Sequence, residues 1–140
     1  MDGLTVWNAN GVCVFTEGGA GTVKRQQDLR ITGARCMGQS ATGQGGIRVA
    51  DADVFTVSDC VVRDPKAHGI HVLRSREGVV RGNYVRGSTQ SGIRLDTTTR
   101  VHVTGNTVVS SDMNITAGSD TTECTFADNR SFDNRVNLNQ

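Results

Sequence analysis

Hydrophobic and polar residues alternate in short bursts along this chain, and the bursts return at a fixed distance. Ile47 and Val49 flank Arg48, Ile70 and Val72 flank His71, and Ile93 and Leu95 flank Arg94. Alternation with period two marks a strand with one buried face, because successive side chains point to opposite sides. A glycine opens each of these segments: Gly46, Gly69 and Gly92 are evenly spaced, and Asn114 continues their column one position early. A second set of alternating pairs is Leu29 and Ile31, Phe55 and Val57, Val101 and Val103, Cys124 and Phe126. A third, shorter set is Val61-Val62, Tyr84-Val85 and Val108-Val109. No stretch carries helical periodicity over the length that a stable helix requires.

Three short strands in every repeat, as from Gly46 to His68 or from Gly69 to Ser91, predict a coil that returns to its starting direction and climbs one strand spacing. That is an all-β, right-handed parallel β-helix, a solenoid of about five to six coils in which equivalent positions stack about 4.8 Å apart. Asn83, Asn106 and Asn129 form a second column at the same period, preceded in it by Cys60 and Ala34. They fall at the bend between the second and third strands. There an asparagine tolerates the left-handed conformation, and its amide can bond to the amide one coil away. Residues 1–140 read as a single β-helix domain forming part of a longer protein, with regular coils over 46–135. An irregular loop is expected over 15–27, where "FTEGGAGTVKRQQ" breaks the period.

Composition narrows the functional classes. The chain carries a net charge of +1 and only 4% aromatic residues, so it has neither the polybasic footprint nor the stacking platforms of a nucleic-acid binder. No apolar run approaches the roughly 18 residues that span a bilayer, and "MDGLTVWNAN" lacks the n- and h-regions of a signal peptide. No membrane partner is expected. Seventeen glycines against a single proline suit a fold with many turns. Cys13, Cys36, Cys60 and Cys124 show no CxxC and no regular spacing, and the expectation is four free thiols, mostly buried, with no zinc site.

The three-strand coil with an asparagine at its second bend resembles the pectate-lyase-like superfamily over roughly residues 23 to 134. This group includes pectate lyases, polygalacturonases, mannuronan C5-epimerases and many phage tailspikes. The resemblance implies that Gly-Ile-Arg/His-Val/Leu is the first strand of the coil and that substrate lies along its outer face. That face reads Arg48, His71, Arg94 and Thr116, with Asp96 two positions beyond Arg94. A file of cations one strand spacing apart suits an acidic polysaccharide, since a uronate carboxylate can take a guanidinium bidentately. Arg48, Arg94 and Lys66 are therefore the candidate substrate-binding residues. His71 beside Asp96 is a candidate acid–base pair, and His68 joins them because His68-Gly69-Ile70 is similar to the Gly-His-Gly-Ile segment of polygalacturonases.

The departures from those families matter equally. Ala67 replaces the first glycine of that segment, and no Asn-Thr-Asp or Asp-Asp pair precedes it, although glycoside hydrolysis requires two carboxyl groups. "DPKAH" is similar to the Asp-Pro-His-Glu signature of the C5-epimerases, but Lys66 stands at the histidine and Ala67 at the glutamate. Asp96 is alone on a face where pectate lyases cluster calcium-binding carboxylates, so neither a metal nor another cofactor is expected. Two functions remain open. One is a polysaccharide-directed β-helix that binds an extended, acidic glycan or processes it by hydrolysis, β-elimination or epimerisation. The other is a non-catalytic structural or receptor-binding module such as a trimeric tailspike shaft, its ends covered by homo-oligomer partners or further coils. The resemblance implies an extracellular or virion setting.

Overall fold

The computed structural model describes Gly3 and residues 5–7, 12–17, 25–38 and 45–135. They form sixteen strands in three parallel sheets and no helix. The first sheet stacks β2 (Val14–Glu17), β5 (Ile47–Ala50), β8 (Ile70–Leu73), β11 (Ser91–Asp96) and β14 (Met113–Ala117). The second stacks β3 (Gln26–Thr32), β6 (Ala52–Ser58), β9 (Arg76–Arg81), β12 (Thr99–Thr104) and β15 (Thr125–Ala127). The third holds β1 (Thr5–Trp7), β4 (Arg35–Met37), β7 (Val61–Arg63), β10 (Tyr84–Arg86), β13 (Thr107–Val109) and β16 (Arg130–Phe132). This is the parallel β-helix that the repeat predicts. Within the segment expected to be irregular, 15–17 belong to β2 and 26–27 to β3, while 18–24 lie outside the described residues.

Register follows the sequence period. Ile47 pairs with Ile70, Ile70 with Ile93 and Ile93 with Ile115, and the inward stack of Ile47, Ile70 and Ile93 is fully buried. Val57, Val80 and Val103 line the second wall of the core and Val62, Val85 and Val108 the third. Volume is balanced between coils as well as within them. A Cβ at Gly78 would collide with the Phe55 ring one coil below, so the aromatic fills the space that the glycine vacates. Gly46, Gly69 and Gly92 are required for a similar reason, since a Cβ on each would strike Val62, Val85 or Val108 across the coil.

The asparagine column forms the expected ladder. Asn106 Oδ1 accepts both the backbone N–H of Asn83 at 3.0 Å and its side-chain amide at 2.9 Å, and Asn129 Oδ1 does the same for Asn106. Each Nδ2 also donates to a carbonyl of the second sheet, from Asn83 to Val57, Asn106 to Val80 and Asn129 to Val103. The left-handed conformation, however, belongs to the preceding residue: Gly33, Asp59, Gly82, Gly105 and Asp128 all have positive φ. The bend is made one position earlier than the sequence suggests, which frees the asparagine to point inward.

The cysteines require a correction. Cys13 and Cys36 form a disulfide with Cα atoms 5.7 Å apart, and only Cys60, buried, and Cys124, half-buried, are free thiols. Cys13 stands where later coils have Gly46, because Val14 pairs with Ile47. Cys36 stands where they have Val62. The covalent bridge thus occupies the place of the glycine–valine contact.

Candidate functional site

Burial of Ile47 and Val49, Ile70 and Val72, and Ile93 and Leu95 turns the intervening residues outward. Arg48, His71 and Arg94 are direct neighbours across β5, β8 and β11, with Phe15 of β2 below them and Thr116 of β14 above. The upper end of this file is closed: Thr116 is buried, and its Oγ1 shares a 2.7 Å hydrogen bond with Ser91 Oγ.

Asp96, at the end of β11, is held from two sides. Its Oδ2 lies 2.9 Å from His71 Nε2, while Oδ1 takes Arg94 Nε at 2.9 Å and Nη2 at 2.6 Å. Burial pushes the Asp96 carboxyl up, but the hydrogen bonds from Arg94 and His71 outweigh it and hold the group below the usual carboxylate range. Burial lowers the His71 imidazole below its ordinary value despite Asp96, with the charges of Arg48 and Arg94 acting in the same direction. His71 is accordingly neutral at neutral pH. It donates Nε2–H to Asp96 and keeps Nδ1 unprotonated, so Asp96 fixes its tautomer.

His68 stands against this pair. Its ring centroid is 4.9 Å from that of His71, and its Nδ1 accepts the Ser91 backbone N–H at 3.2 Å. Burial, with the charges of His71 and Arg94, takes His68 down to about 4. The two imidazoles line a cavity of about 310 Å³ with Arg48, Gln90, Ala67, Gly45 and Val12, at the lower end of the range that holds small ligands. Gly45 is required by close approach, because a Cβ there would lie 2.7 Å from the His68 carbonyl oxygen. Arg48 Nε is shut off from water and has no hydrogen-bond partner, while the guanidinium carbon sits 5.3 Å from the centroid of the half-exposed Phe15 ring.

Arg48, His68, His71, Arg94 and Asp96 are therefore gathered in one place. Lys66 is not among them: it is exposed in the turn between β7 and β8 and does not line the cavity. Gln90 and Phe15 escaped the sequence reading. Gln90 is one period above Ala67, a position that nothing in the pattern marks as special. Phe15 and its neighbour Arg48 are separated by more than one period of the sequence, so the repeat conceals their register.

A family model described as "Periplasmic copper-binding protein (NosD)" matches residues 1–140. The chain belongs to the NosD family. Among solved structures, this NosD-family chain is similar to a mutant of the periplasmic alginate epimerase AlgG, at 12% identity and a TM-score of 0.49. The likeness covers 75% of the NosD-family chain and 40% of the epimerase chain, well under half of the latter's length. No curated protein sequence matches. Among the described residues of the NosD-family chain, no three His, Cys, Asp or Glu side chains are grouped so as to hold a metal ion.

Proposed function

We propose that the outer face of the first sheet binds an extended acidic polysaccharide, with a uronate carboxylate seated on Arg48. The observation that carries this reading is the state of Arg48: it lines the cavity and has no ion pair among the described residues. A guanidinium that lines a cavity without a counter-ion is available to a ligand carboxylate, and a charge-assisted hydrogen bond of that kind contributes about 1.5–3 kcal/mol. Phe15, half-exposed beside it, offers an apolar surface for a sugar ring.

If the bound sugar is processed, the residues favour proton removal over hydrolysis. Hydrolysis requires one carboxyl group as acid and a second as base or nucleophile. Among the described residues no carboxylate lines the cavity, and both oxygens of Asp96 are already engaged. His71 Nδ1 is an unprotonated base oriented from behind by Asp96. With Arg48 neutralising a uronate carboxylate, it can take the proton from the adjacent carbon, the first step of β-elimination or epimerisation. The disulfide fits an oxidising compartment. Copper is poorly served by these residues: with His68 Nδ1 and His71 Nε2 engaged, one nitrogen of each imidazole is left, no third His, Cys, Asp or Glu is grouped with them among the described residues, and the charges of Arg48 and Arg94, which oppose protonation of His71, also oppose a metal cation.

Calorimetry with mannuronate, guluronate and galacturonate oligomers tests the reading. Arg48→Ala is expected to weaken uronate binding about tenfold or more, equivalent to about 1.4 kcal/mol, with an unchanged melting curve. His71→Ala is expected to leave binding in place and to abolish unsaturated product or exchange of the sugar C–H with deuterated water. Binding by Arg48→Ala equal to that of the unaltered chain overturns the proposal. Binding without product or exchange in any variant leaves the non-catalytic module.

A further inference from the structure

We infer that the outer face of the third sheet docks an acidic segment of a partner protein. Cys36, Val62, Val85 and Val108 at the strand centres are fully buried, which turns the flanking residues of β4, β7, β10 and β13 outward. On this face, Arg35, Arg63, Arg86 and Arg130 are all exposed. Arg63 and Arg86 are direct cross-strand neighbours, a like-charge pairing that destabilises a sheet when nothing compensates it.

Several arginines elsewhere are neutralised by an acid in the neighbouring coil, although Arg48 and Arg81 have no ion pair among the described residues. Asp51 pairs with Arg74 at 2.7 Å, Asp53 with Arg76 at 2.9 Å, Glu77 with Arg100 at 2.6 Å, and Asp112 with Arg135. In every case the acid lies one period before the arginine. None of the four third-sheet arginines has an ion pair among the described residues. Asp59, Asp64, Asp128 and Asp133 flank the face in its bordering turns and reach none of them. The segments outside the described residues carry one acidic side chain, Asp2. No described residue supplies the compensating carboxylates, and an acidic binding partner would supply them.

The remaining outward positions indicate which kind. Tyr84, Met37, Val61 and Val109 are half-buried between the arginines, and Phe132 is exposed. Arginine, tyrosine, phenylalanine and methionine without lysine or acid is the composition enriched at the centres of protein–protein interfaces. A second copy docked face to face would set arginine against arginine. Among the described residues of this face, an anionic membrane would find only Phe132 protruding to insert. A polypeptide that presents carboxylates interspersed with apolar side chains satisfies both halves of the surface.

Fluorescence anisotropy with a labelled glutamate–tyrosine copolypeptide tests this on the full chain, with polyuronate and phosphatidylglycerol vesicles as parallel probes. The copolypeptide is expected to bind, to weaken as salt rises, and to lose about tenfold or more of its affinity in the double variant Arg63→Glu, Arg86→Glu. The milder Arg63→Gln, Arg86→Gln pair should fall between, and Arg48→Ala should retain full affinity. Equal copolypeptide binding by the unaltered chain and the glutamate variant overturns the inference. So does a glutamate variant that loses polyuronate or vesicle binding instead, or sedimentation showing a dimer that the variant abolishes.

Discussion

At the scale of single residues, the one proline of the chain explains an otherwise puzzling serine. Pro65, Ser88, Ser111 and Asn134 form a column at the repeat period, in the turn between the third sheet and the first. The side-chain oxygens of Asn134 and Ser111 accept the backbone N–H one coil earlier: Asn134 Oδ1 takes Ser111 N at 2.8 Å, and Ser111 Oγ takes Ser88 N at 3.3 Å. The next donor would be residue 65, but proline has no N–H. Ser88 Oγ is accordingly buried without a partner. Removing a hydroxyl that makes no bond relieves an unsatisfied group, whereas removing one that accepts a bond creates one. Ser88→Ala is therefore expected to be neutral or slightly stabilising, and Ser111→Ala to lose about 1 kcal/mol. Paired denaturant titrations decide the matter, and an equal loss in both variants refutes the account of the column.

At the scale of elements, the asparagine ladder carries a larger load. The Asn106 side chain joins three coils through four hydrogen bonds: its oxygen accepts two from Asn83, and its amide reaches Val80 and Asn129. Asn106→Leu leaves the Asn83 N–H and the Val80 carbonyl unsatisfied in a buried bend and is expected to cost about 1–3 kcal/mol. A melting curve indistinguishable from that of the unaltered chain rules this out. The ladder was legible in the sequence because its members keep strict period, as do Ile47, Ile70 and Ile93. The disulfide was not. In later coils the contacting pairs Gly46–Val62, Gly69–Val85 and Gly92–Val108 share one spacing, shorter than the period. Extra residues between β2 and β3 stretch the equivalent Cys13–Cys36 separation to 23, a full period, which makes two sides of one coil look like one position in two coils. The same insertion, together with extra residues between β4 and β5, hid Phe15 beneath Arg48. That Arg48, His71, Arg94 and Asp96 share one outer face could be read from alternation, whereas their choice as candidate site residues rested on the family resemblance. The engagement of both Asp96 oxygens could not be read, because it depends on side-chain geometry beyond any spacing rule.

At the scale of the whole molecule, a solenoid transmits stability only between neighbouring coils, so a bond placed in one coil acts locally. The Cys13–Cys36 bridge fixes the coil that contributes Val12 to the cavity and Phe15 to Arg48. Closing a loop of this length stabilises by about 3 kcal/mol through the unfolded state. Reduction with dithiothreitol should therefore raise hydrogen exchange in 14–17, where Val14 N–H bonds to the Gly46 carbonyl at 3.0 Å, while β8 and β11 keep their protection. The repeat itself supplies the control. Cys13→Gly with Cys36→Val installs the glycine–valine pair of the later coils, restoring their packing without the covalent closure. This double variant should ignore dithiothreitol and melt below the oxidised chain but no lower than the reduced one. If it instead matches the oxidised chain, packing alone holds the coil and the bridge contributes nothing. If reduction raises exchange uniformly from β2 to β14, the coils unfold as one unit and the local account fails.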